Sequence, residues 1–227
     1  MRLLKGKKGL IMGVANERSI AWGIAKKLAE NGAELAFTYL GDALKKRVVP
    51  LAESLKSNFT LSCDVEKKED IVRSFDDIKK KWGNLDFVVH AIAFSDRAEL
   101  SGEYLNTSRE NFLKSMLISC FSLTEIAKEA SMIMNKGSSI LTLTYESSKV
   151  IPNYNVMGVC KAALESSVKS DFNDCANGNT LFFNASFGYV KANSAPFSDN
   201  FFAIPQAIDL SFATPIIRPF LFCINIL

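Results

Sequence analysis

Between residues 8 and 144 short β-type runs alternate with longer stretches of helical period, and this alternation limits the fold more than any other feature. The β-type runs are "GLIMGV" (9–14), "AELAFTY" (33–39), "FTLSCDV" (59–65), "LDFVVHAIA" (85–93) and "SSILTLT" (138–144). Between the first two, "SIAWGIAKKLAEN" places Ile20, Ile24 and Leu28 on one helical stripe. Ser19 stands where a cap is wanted, and Gly32 where a left-handed turn ends the helix. "EDIVRSFDDIKKKWG" predicts a second helix ending at Gly83, and the run from Arg109 to Asn135 a third, closed by Gly137. Apolar strands joined by helices are buried on both faces, which requires a parallel sheet with right-handed crossovers. The pattern predicts an α/β fold with a doubly wound, Rossmann-like parallel sheet, the dinucleotide-binding architecture.

The 227 residues suffice for one such domain, read here as spanning 1–227. Within it, 1–169 is the well-patterned core and 170–227 an atypical tail. Ten of the 17 phenylalanines but only six charged residues fall in 170–227, and Pro196, Pro205, Pro215 and Pro219 interrupt it. A net charge of +3, with no basic run interleaved with aromatics, argues against a nucleic-acid binder. No stretch reaches transmembrane length, and the basic start "LKGKKGLIMG" is too short in apolar residues for a signal peptide. Five scattered cysteines without metal-ligand spacing read as reduced thiols of a cytoplasmic protein that holds no metal.

The first strand runs into "GVANERSIAWG", which is not G-x-G-x-x-G, since Ala15 occupies the second glycine's place. Gly13 still permits a tight turn, and the N–H groups of Ser19 and Ile20 open a helix that can face a pyrophosphate. The second strand ends with Leu40 where an acidic partner for a ribose 2′-OH is usual. Lys45, Lys46 and Arg47 follow, either to attract a 2′-phosphate or as the solvated face of the next helix, so NAD and NADP are both left open here. Asp64 and Val65 are placed to bond and pack against an adenine, or equally to serve as a helix cap and a core valine. His90, the single histidine, is read as structural, while Ala91 and Ala93 let a flat cofactor approach the backbone.

After the fifth strand, "IPNYNVMGVCK" sets Tyr154 and Lys161 seven positions apart, nearly two helical turns, and so on one face. An ammonium near a phenol favours the phenolate and lowers its pKa from about 10. The same lysine can donate to ribose hydroxyls.

With "GVANERSIAWGIAKKLAENGAELAFTY", "CDV", "VVHAIAFSDRAEL", "LTLTY" and above all "IPNYNVMGVCKAALE", the chain resembles the enoyl-acyl-carrier-protein reductases of bacterial type II fatty-acid synthesis. These are a divergent branch of the short-chain dehydrogenase/reductases, and the likeness covers roughly residues 1–169. The six residues between Tyr154 and Lys161 mark the branch, where ordinary short-chain dehydrogenases have three. The resemblance implies NADH-dependent reduction of a trans-2-enoyl thioester on acyl carrier protein. Tyr154 would bond the thioester oxygen, Lys161 the nicotinamide ribose, and Tyr145 would be a second active-site tyrosine. Gly13, Ser19, Ile20, Asp64, Val65 and Ile92 fall on NAD-contacting positions, Leu40 on an adenosine-side one, and Ser95 where the acyl substrate approaches. A homotetramer is the family's assembly.

The sequence also departs from the family. The link from Tyr145 to Tyr154 is one residue short, "FFNASFGYVKANSA" (182–195) echoes a family segment faintly with Tyr189 for its proline, and "FATPIIRP" (212–219) echoes a later one. The chain then ends before the family's closing helix and strand. That region of the family forms the acyl pocket and subunit contacts. Two other readings therefore stand beside the first: a short-chain oxidoreductase of different substrate, and a catalytically impaired relative.

Overall fold

The computed structural model describes residues 3–145, 150–177, 183–189 and 219–226. The expected alternation is present. Strands β1 (Lys8–Met12), β2 (Glu34–Tyr39), β3 (Thr60–Ser62), β4 (Leu85–His90) and β5 (Met134–Tyr145) are joined by helices α1 (Ile20–Glu30), α2 (Gly41–Ser54) and α3 (Lys68–Trp82). Between β4 and β5 come a short α4 (Arg97–Leu100), then α5 (Arg109–Met116), a π turn over Leu117–Phe121 and α6 (Ser122–Ser131). Helix α7 (Asn155–Asn177) follows β5, and β6 (Phe183–Tyr189) and β7 (Pro219–Ile226) complete the sheet.

The strand order is β3-β2-β1-β4-β5-β7-β6. The first five strands pair in parallel, as the doubly wound pattern requires. Beyond β5 the sheet turns antiparallel: β7 runs against both β5 and β6. The expected parallel sheet is thus a five-stranded parallel core with an antiparallel edge.

Period-two alternation in the strands feeds two cores. Leu10, Met12 and Val88 face one side, packing with Ile71, Phe75, Ile78, Leu123, Ile126 and Leu164 of α3, α6 and α7. Ile11, Phe37, Phe87 and Val89 face the other, with Trp22, Ile24, Ala25 and Val48 of α1 and α2. Burying one such aliphatic side chain contributes roughly 1.5–3 kcal/mol, so both layers are strongly held to the sheet. Gly9 of β1 lies opposite Phe87 of β4, and a Cβ there would overlap the Phe87 ring.

The helix ends follow the residues that form them. Gly32 (φ +95°) ends α1 with its N–H on the Ala29 carbonyl at 2.9 Å, as expected. Gly83 (φ +78°) closes α3 on the Lys79 carbonyl at 2.8 Å. Ser19 differs. It sits at the N-cap of α1, but its hydroxyl donates back to the Asn16 carbonyl at 2.7 Å and caps nothing. The third predicted helix is shorter than expected, stopping at Ser131 instead of Asn135. Leu85 N–H already bonds the Ile133 carbonyl (3.1 Å) and Met134 pairs with Leu85, so sheet pairing captures these residues before Gly137. Four residues, 135–138, then arch opposite the single Asp86 before pairing resumes at Ser139 and Phe87.

Of the features read from the sequence, the middle of the link between Tyr145 and Tyr154 (146–149), Pro196, Pro205, Pro215 and the echoes at 190–195 and 212–218 lie outside the described residues.

Candidate active site

In the order β3-β2-β1-β4-β5 the winding reverses between β1 and β4, which opens a crevice at the strands' carboxyl ends. Gly13 follows β1, Leu40 follows β2, Asp64 and Val65 follow β3, Ile92 follows β4, and Tyr145 ends β5. All these sequence-predicted residues therefore line one edge of the sheet. Gly13 has φ +95°, and a Cβ on it would overlap the Ala91 carbonyl oxygen. The turns after β1 and β4 touch at the switch point, and only glycine allows that contact.

The side chains divide by what holds them. Leu40 is 53% exposed at the start of α2, while Lys45, Lys46 and Arg47 lie on that helix's solvated face. Val65 is buried in the core. The Asp64 carboxylate accepts from Glu66 N–H at 3.1 Å and pairs with Lys67 at 3.5 Å, so it is engaged in its own turn. Ile92 is half-buried against the core; Ser19 N–H already bonds the Asn16 carbonyl at 3.2 Å, so the N–H groups of Ile20 and Ala21 are the ones that lead α1 without intrahelical acceptors.

Tyr154 occupies the turn just before α7, not the helix itself, and its carbonyl accepts from Met157 N–H at 2.8 Å. Its ring is 8% exposed, 5.3 Å from that of Tyr145 between centroids, and close to Gly158 one turn on. Burial pushes the Tyr154 phenol far above its ordinary pKa, with the Tyr145 phenol and the Cys160 thiol adding to the rise. The expected lowering by Lys161 does not occur: loss of hydration sets the shift, and Lys161 is not among the groups that act on the phenol. Lys161 is buried, donates to the Leu143 carbonyl at 2.9 Å, and has its pKa brought down to about 8 chiefly by burial. At neutral pH the pair is a neutral phenol O–H and an ammonium close to titration.

His90 is structural, as expected. It is fully buried, with Nδ1 2.8 Å from the Thr142 hydroxyl and Nε2 2.9 Å from that of Ser122. Both hydroxyls also reach backbone carbonyls, Ser122 donating to Ile118 at 2.7 Å and Thr142 to His90 at 3.2 Å, so the ring is held from both sides. Burial, with the Lys161 charge second, lowers the His90 pKa to about 3.

Ser95 lies on the loop after β4, and the residues that set this loop escaped the sequence reading. Buried Asn111 accepts from Asp96 N–H at 2.8 Å and exchanges bonds with the Ser95 hydroxyl at 3.2–3.3 Å. Ser119, inside the π turn, accepts from Phe94 N–H (2.9 Å) and donates to Phe94 C=O (3.0 Å). A signal for them exists in the sequence. Asn111, Ser115, Ser119 and Ser122 form a buried polar row at i, i+4, i+8 and i+11 in a segment whose other inward residues are apolar.

Comparison with known proteins agrees with this geometry. The family described as Enoyl-(Acyl carrier protein) reductase matches residues 13–208. Enoyl-[acyl-carrier-protein] reductase [NADH] 2 of Rhizobium meliloti (strain 1021) is 62% identical over 168 residues, which are 74% of this chain and 63% of that protein. The crystal structure of the Anaplasma phagocytophilum enoyl-(acyl-carrier-protein) reductase with NAD superposes with a TM-score of 0.74 at 56% identity, covering 77% of this chain and 67% of that one. The Bacillus cereus enoyl-acyl carrier protein reductase, crystallised with NADP+ and indole naphthyridinone, gives 0.75 at 49% identity, covering 78% and 70%. The match thus spans roughly two thirds of these relatives' lengths. A switch-point crevice, a buried tyrosine–lysine pair and a family match over most of the sequence converge: this chain belongs to the enoyl-(acyl carrier protein) reductase family.

Proposed function

We propose that this protein reduces the carbon–carbon double bond of a trans-2-enoyl thioester carried on acyl carrier protein, using NADH, in fatty-acid synthesis. The observation that carries the reading is the Tyr154 phenol, buried, held protonated and 5.3 Å from the Tyr145 ring at the carboxyl edge of the sheet. A donor that keeps its proton suits a reaction in which negative charge gathers on the thioester oxygen. The relatives named above support NADH as the reductant.

The residues present fit a dinucleotide. The Gly13 turn brings the backbone to the switch point, the N-terminus of α1 faces a pyrophosphate, and Lys161 offers a cation for ribose hydroxyls. At the adenosine side Leu40 supplies neither a carboxylate for a 2′-OH nor a cation for a 2′-phosphate. When bound, the cofactor supplies the hydride. This chain's own residues do the rest. Tyr154 holds its O–H toward the substrate oxygen, Tyr145 packs beside it and limits water, and Lys161 orients the sugar. Ser95 flanks the acyl group, while Gly13, Ser19, Ile20, Asp64, Val65 and Ile92 form the cofactor side.

The domain is read as a single dinucleotide-binding unit over 1–227, with 1–169 its well-patterned core. A homotetrameric assembly and a cytoplasmic location complete the reading. In support of the location, no helix among the described residues is long and apolar enough to cross a membrane, and Cys63, Cys120 and Cys160 are free thiols. The test is direct: purified protein with crotonyl thioester should consume NADH. A folded sample that binds NADH yet shows no thioester-dependent consumption would defeat the proposal.

A further inference from the structure

Among the described residues three non-glycine positions have positive φ, and two of them, Asn153 (+59°) and Asn155 (+33°), flank Tyr154. Such φ values are costly for most side chains and least so for asparagine. They persist only where surrounding contacts over-determine them. At Asn155 those contacts are visible. Its Nδ2 donates to the Glu99 carbonyl at 3.0 Å and to the Gly102 carbonyl at 3.3 Å, more than fifty residues away in sequence.

The segment it grips belongs to the same loop system as Ser95. The Glu99 carboxylate accepts from Ser108 N–H (2.9 Å), the Ser108 hydroxyl (2.7 Å) and Asn111 Nδ2 (3.1 Å). Asn111 in turn bonds Ser95 and the Asp96 N–H. A hydrogen-bonded chain therefore runs from Ser95 through Asn111 and Glu99 to Asn155, whose backbone adjoins Tyr154. Every link has ordinary hydrogen-bond length.

We propose that Asn155 is a positioning residue, whose side-chain amide fixes the Tyr154 turn in register with the 95–102 loop. It touches no reacting atom. Its left-handed backbone turns Tyr154 off the end of α7, and its amide ties that turn to the loop on the substrate side. A tyrosine on a turn without this tie would keep its chemistry and lose its placement. Misplacement of a donor by about an ångström costs up to roughly 100-fold in rate.

The kinetic arm of the test rests on the reading of Tyr154 as donor to the thioester oxygen; the amide-exchange arm does not. Asn155→Gly tolerates the backbone conformation and removes the amide. It should lower kcat with crotonyl thioester about 10- to 100-fold and leave KM for NADH within about two-fold. In a Tyr154→Phe background the same change should cost less than about two-fold, because both act through one group. Amide exchange should rise together at 99–102 and at 155–158. An unchanged kcat, or an equal loss on top of Tyr154→Phe, would overturn the proposal. So would exchange that rises at 155–158 alone. Asn155→Asp, which turns an oxygen toward both carbonyls, is the second variant, and failure of both to fold would make Asn155 structural and also overturn it. If the wild-type protein shows no turnover, the functional reading fails, and the joint rise in exchange alone decides for or against the tie.

Discussion

Tyr154 keeps its proton because it is buried, and this decides what it can do. A phenol raised above its ordinary range is a poor base at neutral pH and a dependable donor. Under the proposed function, replacing it with phenylalanine removes a bond that would strengthen as charge reaches the thioester oxygen. The expected loss is about 100- to 1,000-fold in kcat, with NADH affinity preserved, as checked by steady-state kinetics and fluorescence titration. Lys161 behaves differently, with a pKa of about 8. NADH affinity should fall as pH rises through about 8, and Lys161→Met should bind more weakly with little pH dependence there. For stability the sign is opposite. Between about 8 and the ordinary 10.5 the unfolded chain holds a proton that the folded chain has shed, so burial of this group penalises folding less as pH rises. His90 stays neutral, with a pKa of about 3 against an ordinary 6.5. Its unfolded form takes up a proton in that window. Stability to urea should therefore fall as pH drops below about 6.5, and the fall should be shallower in His90→Gln.

At the scale of elements, turns decide the site. Gly13→Ala would set a Cβ against the Ala91 carbonyl and force a left-handed backbone that costs alanine about 1–2 kcal/mol by itself. The expected result is a lowered melting temperature and weakened NADH binding together, measured by calorimetry and fluorescence, since the turns after β1 and β4 separate. The sequence made the alternating elements and the carboxyl-edge placement of Gly13, Leu40, Ile92 and Tyr145 legible, because both follow from local period and the order of strands. It did not make legible the role of Ser19, whose hydroxyl finds the nearer Asn16 carbonyl. Nor did it reveal the end of α6, where pairing of Met134 with Leu85 overrides helical pattern. The direction of the Tyr154 shift was misjudged for a related reason. Spacing along a helix says which groups are near, and says nothing of how much water they lose.

At the scale of the whole molecule, the five parallel strands form the rigid part on which the site is hung, with a packed helical layer on each face. The antiparallel edge made by β7 and β6 adds to β5, the strand that carries Tyr145 and the Leu143 carbonyl bonded by Lys161. The tyrosine–lysine pair thus sits where the parallel core meets this edge. What separates an enoyl reductase from an oxidoreductase acting on a carbonyl is the carbon that receives the hydride. The measurement that tests this most directly is mass spectrometry of the product from crotonyl thioester and NADH deuterated at the transferring carbon. One deuterium on the β-carbon of a saturated thioester is the predicted result. Deuterium on a carbinol carbon, or a folded, NADH-binding protein that transfers none, would contradict it.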